Sequence, residues 1–197
     1  MARRSDHTRE ELEELILSTG EALLDEGGIA AFGARKIATR IGYTVGTLYH
    51  VFGSYDNLLL HINARTLDHW FSETLSALAA RPDAPLHALA DSYIRFSRTH
   101  YHRWLALFEH HLPDDAPVPE WFEPKMRRFF TLLEEVLRAL NIGGDDAVRR
   151  GARLLWSSIH GIAVLSATHK LDLVTQESAG QLAQEAVDNF LASAGKA

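Results

Sequence analysis

Between Thr8 and Ala194 the apolar residues recur at spacings of three and four, without strand-like alternation, and Gly- or Pro-bearing breaks separate the runs. That period places one apolar face on each of a series of helices and leaves nothing with which to build a sheet. The expected fold class is all-α, with no internal repeat. Thr8-Arg9-Glu10-Glu11 has the spacing of a capping box. Leu12, Leu15, Ile16, Thr19, Ala22 and Leu23 continue from it as one stripe, which Gly27-Gly28 ends.

Two short helices follow. One is expected from Gly33 to Arg40. After a turn at Gly42-Tyr43, the other runs from a Thr44 N-cap to about His50. Gly53-Ser54 then opens a long helix through about Leu78, which Arg81-Pro82-Asp83-Ala84-Pro85 stops. Helices are expected at about 86–100 and 103–111, then a Pro-rich loop from Leu112 to Pro119. Phe122 to Leu140, Asp145 to about Lys170, and Gln176 to about Ala194 complete the series. The last carries the stripe Ala179, Leu182, Ala183, Ala186, Val187, Phe190, which must face something apolar.

Composition narrows the function classes. The 197 residues are 46% apolar and 23% charged, which fits a globular chain rather than a disordered one. No apolar run approaches the roughly 18 residues of a membrane span. The amino terminus lacks the apolar stretch of a secretory signal, so a cytoplasmic protein is expected. The absence of Cys removes disulfides, thiolate metal sites and cysteine nucleophiles. Gly-x-Ser-x-Gly, His-Glu-x-x-His, phosphate-cradling Gly-rich loops and Glu-x-x-His pairs are also absent, so no catalytic apparatus is visible and no cofactor is expected.

The net charge of −6 argues against general adhesion to nucleic acid, but the charge is unevenly distributed. Gly27 to Tyr55 contains Arg35, Lys36 and Arg40 and no carboxylate, a cationic island compatible with phosphate contact or with a solvated helix face. Two short helices joined by a Gly-containing turn, behind a longer helix, are what a helix-turn-helix requires. The second, Thr44 to His50, would present small residues near its start (Val45, Gly46, Thr47), letting backbone approach a groove. Tyr49 and His50 would follow one turn later, with Arg35 and Lys36 on the same surface.

The residues themselves are more specific. Ile16 to Gly28, Ala34-Arg35-Lys36-Ile37-Ala38, and Ile41-Gly42-Tyr43-Thr44-Val45-Gly46-Thr47-Leu48-Tyr49-His50-Val51-Phe52-Gly53-Ser54 with Leu58-Leu59 closely resemble the DNA-binding region of TetR-type (TetR/AcrR) transcriptional regulators. The resemblance implies that Arg35 reads a base and that Thr47 and Tyr49 hold phosphates. Thr44, Val45 and His50 would sit where sequence preference varies. The family usually places a phosphate-gripping Lys where this chain has Tyr55, which can bond a phosphate but adds no charge. Trp156-Ser157-Ser158-Ile159-His160-Gly161 resembles the Trp-x-x-x-His-Gly element of one subgroup of TetR regulatory domains, and Trp104 to Phe108 fits its preceding helix.

The expected organisation is a helix-turn-helix DNA-binding domain at 1–53, followed by a helical ligand-binding and dimerisation domain at 54–197. The resemblance implies a ligand-responsive regulator, acting most often as a repressor, that binds a palindromic double-stranded DNA operator and a small-molecule effector. It also implies a homodimer through helices at about 145–170 and 176–194, where Ala147, Gly151, Ala152, Ser158, Gly161 and Ala163 permit close helix approach. Trp104, Phe108, Trp121 and His160 are the candidate ligand contacts among many aromatics that must otherwise form core. The histidines His100, His102, His110 and His111 beside Glu109 suggest a metal, yet adjacent helical residues point about 100° apart, and no metal site is expected. The competing reading is a helical small-molecule-binding or interaction module without specific DNA binding. Removal of Arg35 and Tyr49 discriminates the two.

Overall fold

A computed structural model describes residues 7–113 and 117–194. Arg3, Arg4 and the middle of the Pro-rich loop, Asp114 to Ala116, lie outside the described residues. The helices are α1 (Arg9–Ala31), α2 (Ala34–Ile41), α3 (Val45–Phe52), α4 (Tyr55–Ala80), α5 (Pro85–Thr99), α6 (Tyr101–Glu109), α7 (Glu123–Ala139), α8 (Asp145–Ala167) and α9 (Ala179–Ala194). A single 3-10 turn, Leu171–Leu173, precedes α9, and no strand occurs among the described residues. None of these helices is long and apolar enough to cross a membrane.

The local signals act where they were read. Glu11 donates its backbone N–H to the Thr8 hydroxyl oxygen at 3.2 Å and accepts the Thr8 N–H at 2.7 Å, closing the capping box. Gly27 and Gly28 break the helical dihedrals of α1, with Gly28 at φ 65°, and one further turn carries Phe32 into the core. The last helix begins later than expected, at Ala179 instead of Gln176. Ser178 and Gln181 form a second capping box there, with Ser178 N–H on Gln181 Oε1 at 2.9 Å and Gln181 N–H on Ser178 Oγ at 3.2 Å. At its carboxyl end α8 stops at Ala167, short of Lys170, and His169 adopts φ 54°.

The fold comprises two compact units. One contains the described residues up to Thr66 together with His100–Val118; the other contains Leu67–Thr99 and the residues from Pro119 onward. The first unit is assembled from two stretches of sequence because α6 returns to pack on α1. In the first unit Ile16, Leu24, Ile37, Leu48, Leu58 and Ile62 are completely buried. Charge ties its helices at the rim: Arg65 on α4 bonds Glu14 at 2.7 Å and Glu21 at 3.0 Å on α1. Arg103 on α6 forks onto Asp25.

The second unit is organised around aromatic side chains. Trp70 on α4 stacks on Phe96 of α5 with centroids 5.1 Å apart and meets Tyr93 edge-on at 4.8 Å and Phe129 of α7 at 4.9 Å. The stripe on α9 finds its apolar partner within the same chain, against α5 and α8, and Ala183 and Val187 are completely buried. Gly151 of α8 faces α9 closely: a Cβ there would lie 2.9 Å from the Phe190 ring.

Candidate nucleic-acid interface

The surface made by α2 and α3 is set by what each helix buries. Ala34, Ile37 and Ala38 turn inward from α2, so Arg35, Lys36, Thr39 and Arg40 are exposed. From α3, Leu48 and Phe52 turn inward, which exposes Gly46, Tyr49 and His50. The turn between them is rigidly terminated at both sides. Gly42 takes the left-handed conformation at φ 75°, and Tyr43 donates its N–H to the Ala38 carbonyl at 2.9 Å, satisfying carbonyls that α2 leaves open. Thr44 then caps α3 by accepting the Thr47 N–H at 3.3 Å.

Behind α3, Gly53 at φ 78° ends the helix and Ser54 Oγ accepts the Asn57 N–H at 3.1 Å. The Asn57 side chain donates to the Phe52 carbonyl at 2.7 Å, fixing the angle between α3 and α4.

The Thr44 and Thr47 hydroxyls lie 3.0 Å apart. One hydroxyl proton is consumed between them and the other remains to donate outward, whichever residue supplies it. Together the two threonines offer a single proton to an anion. Gly46 leaves its backbone open, with nothing but Thr44 Oγ1, at 3.7 Å, near the position of an added Cβ.

The three cations of the carboxylate-free island are not equivalent. Arg40 is engaged by Glu26, which lies just before the island in sequence, through bonds of 2.7 and 3.0 Å; this pairing lowers the Glu26 pKa and raises that of Arg40. Lys36 donates to the Ala30 carbonyl at 3.4 Å. Arg35 is exposed and makes no ion pair among the described residues.

Two of the residues expected at this surface are partly drawn into the core. Val45 is half-buried against the apolar cluster of the first unit, as is Tyr55, whose ring lies 5.4 Å from Phe32. Burial, with smaller contributions from Asp56 and Tyr49, raises the Tyr55 hydroxyl above the ordinary tyrosine range, so the phenol stays protonated.

The residues expected to touch ligand are distributed between the two units. Trp104 and Phe108 belong to the first, with rings 5.2 Å apart, and Trp104 has no exposed surface. In the second unit Trp121 is 40% exposed and stands edge-on to Phe122. His160 stacks on Trp156 with centroids 4.9 Å apart, and its Nδ1 lies 2.7 Å from the Tyr93 hydroxyl. Burial lowers the His160 pKa.

A groove of about 420 Å³ in the second unit is lined by Phe71, Leu75, Arg128 and Leu132, among others, and by none of those four candidates. Arg128 covers the Phe71 ring at 4.4 Å and pairs with Asp68 at 2.8 Å. No sequence signal distinguished this groove, because it depends on which faces of α4 and α7 meet. Three of the clustered histidines have separate surroundings. His102 packs on Gly28, His111 curls back onto the Glu109 carbonyl, and the nearly buried His110 has Nε2 3.3 Å from Asp56.

The family model described as "Tetracyclin repressor-like, C-terminal domain" matches residues 86–190, and the one described as "Bacterial regulatory proteins, tetR family" matches residues 16–62. No curated protein sequence matches the chain. Among solved structures, a protein with unknown function from Rhodococcus sp. RHA1 is similar at 22% identity and a TM-score of 0.75, covering 96% of this chain and 97% of its own. The TetR family transcriptional regulator PfmR from Thermus thermophilus is similar at 20% identity and a TM-score of 0.61, covering 89% and 96%. The multidrug binding protein EbrR, complexed with imidazole, is similar at 17% identity and 0.58, covering 90% and 94%. With a helix-turn-helix at its amino end, an all-helical remainder and family matches over both parts, the chain belongs to the TetR family of bacterial transcriptional regulators.

Proposed function

We propose that this protein is a ligand-responsive repressor, without catalytic activity, that binds a palindromic operator as a homodimer. Residues 1–53 would form the DNA reader and 54–197 the regulatory and dimerisation part. The observation that carries the reading is the exposed α2–α3 surface. It presents Arg35, Lys36, Tyr49 and His50 around the shared Thr44–Thr47 proton and the bare backbone of Gly46. Arg35 is assigned to a base edge, with Thr44, Val45 and His50 at positions that tune preference. Lys36, Thr47, Tyr49 and Tyr55 are assigned to phosphates.

In a dimer the two α3 helices would enter successive major grooves about 34 Å apart. The outer face of α8 supports self-association. Leu154, 63% exposed, and Leu165, 39% exposed, flank Ser158 and Gly161 at spacings of four, three and four, and a Cβ on Gly161 would meet nothing. Gly151, Ala152 and Ala163 are buried within the chain, so Ala147, Ser158 and Gly161 are the small residues of that set left for a partner.

An effector that prefers one tilt of α4 would change operator affinity, because α4 starts directly behind α3 and extends into the second unit. Coupling of about 1–3 kcal/mol is enough for a measurable switch. EbrR, whose structure holds imidazole, lends the small-molecule part its support, and Trp104, Phe108, Trp121 and His160 remain the proposed contacts.

The test is selection of bound duplexes from random DNA by the full chain, with Arg35→Ala and Tyr49→Ala in parallel at fixed salt. A palindromic motif that fades in both variants is expected. Retention of the motif by both folded variants would refute the assigned interface, and no motif from a folded dimer would favour a helical module that does not read DNA.

A further inference from the structure

We infer that the groove between α4 and α7 is a binding site for an elongated aliphatic monocarboxylate, with Arg128 at its head and Leu75 and Leu132 along its chain. The site lies apart from the four ligand contacts proposed above, and its occupancy is read without DNA, so it stands or falls separately from the regulator reading. All of its lining belongs to the second unit, and its volume of about 420 Å³ is in the range of small-molecule sites.

Charge divides the groove lengthwise. Arg127 and Arg128 stand at one end of its α7 wall and Glu135 at the other, seven residues or about 10 Å along the helix from Arg128. Between them the walls are apolar: Leu132 and Phe71 line the groove together with Leu75, which is 45% exposed. One anionic group is drawn to the arginine end, the middle favours hydrocarbon, and Glu135 repels a second anion.

Arg128 supplies the reason for a carboxylate. Its guanidinium is held over the Phe71 ring at 4.4 Å and lies 5.7 Å from the Phe129 centroid. Nη2 is 2.8 Å from Asp68 Oδ1 but off the line of a hydrogen bond, and Nε has no hydrogen-bond partner, although both nitrogens are buried. Buried N–H groups without an acceptor are costly. The Nε–H and one Nη2–H of an arginine point the same way, forming the side-on fork that a carboxylate fills with two parallel bonds. A ligand carboxylate seated there displaces Asp68 from Arg128. Asp68 is not left without a cation, because Lys125 Nζ donates to its Oδ2 at 2.7 Å.

The experiment is isothermal titration calorimetry of the full chain with decanoate, decanol and decanedioate, each below its aggregation concentration. Decanoate is expected to bind at least about tenfold more tightly than either of the others, as the loss of a charged bond pair or the approach of Glu135 requires. Arg128→Gln should weaken decanoate by a similar factor and leave decanol unchanged. Leu75→Asp, at an exposed position where the fold is not at risk, should weaken decanoate as well. Glu135→Gln should bring decanedioate close to the affinity of decanoate.

No binding of decanoate, or equal binding of decanoate and decanol, would overturn the inference. So would decanoate binding that is unchanged in folded Arg128→Gln and Leu75→Asp, or decanedioate binding indifferent to Glu135→Gln. If the chain binds decanoate as described but selects no duplex, the regulator reading fails and the site stands; an operator bound without any decanoate site is the converse.

Discussion

Arg40 forks onto Glu26 with bonds of 2.7 and 3.0 Å across fourteen residues of sequence, and this pairing sorts the cations of the reader. A guanidinium engaged by a carboxylate offers little net charge to a phosphate, whereas Arg35 on the same helix is exposed. Arg35→Ala should therefore weaken operator binding by about 1–3 kcal/mol and relax preference at one base pair per half-site. Arg40→Ala should leave the affinity nearly unchanged. Glu26→Gln, which releases Arg40, should steepen the salt dependence by about one counterion. Anisotropy titrations over a salt series check all three, and an Arg40→Ala loss as large as that of Arg35→Ala would refute the sorting.

Gly28 and Gly42 both have positive φ, at 65° and 75°, but differ in ψ, at −159° and 24°, and in surroundings. An added Cβ on Gly42 meets nothing, while on Gly28 it lies 3.1 Å from His102 Nδ1. Gly42→Ala should cost about 1–2 kcal/mol for its left-handed conformation. Gly28→Ala should cost more, because its dihedrals lie in a region that is essentially restricted to glycine and its Cβ crowds His102. Urea unfolding midpoints measure the contrast, and equal losses would refute it.

Trp104 has no exposed surface and Trp121 is 40% exposed. Trp104→Ala should destabilise the fold by about 3–5 kcal/mol, as deletion of a buried indole does. Trp121→Ala should change stability much less, so any ligand-binding loss it causes can be read directly. Chemical denaturation of the two variants tests the contrast, and similar midpoints would contradict it.

Stability should fall as pH drops below the ordinary imidazole value of 6.5. His61 is half-buried with its ring 5.3 Å from Phe52, and burial lowers its pKa despite the opposing pull of Glu13; His160 is lowered by burial alone. Because both folded-state values lie below the unfolded one, the unfolded chain takes up protons first. The stabilisation is complete above 6.5 and is lost as pH falls through the folded values. His61→Gln should flatten this decline in thermal midpoint, and an unchanged pH profile would show that other groups govern it.

The element order, the capping box at Thr8, the turn at Gly42-Tyr43 and the Thr44 cap were legible in the chain because each depends on residues three or four apart. The same locality carries the identity of the α2–α3 surface, since burying Ile37, Ala38, Leu48 and Phe52 leaves Arg35, Tyr49 and His50 outside. The Ser178–Gln181 box was equally local and marks the true start of α9, where the apolar stripe also begins, three residues after the expected Gln176.

Other features were decided only by packing between distant segments. Arg40 is engaged because Glu26 is brought to it, and Arg103 meets Asp25 across 78 residues because α6 folds back on α1. The complete burial of Trp104, the close contact of Phe190 with Gly151 and the groove beside Phe71 depend likewise on which helix faces meet. Periodicity fixes which side of a helix is apolar, but the partner for that side is selected by shape and charge across the whole chain. By itself the sequence determined a capped, all-helical DNA-reader pattern, and tertiary structure decided which of its charges and aromatic rings remain available for function.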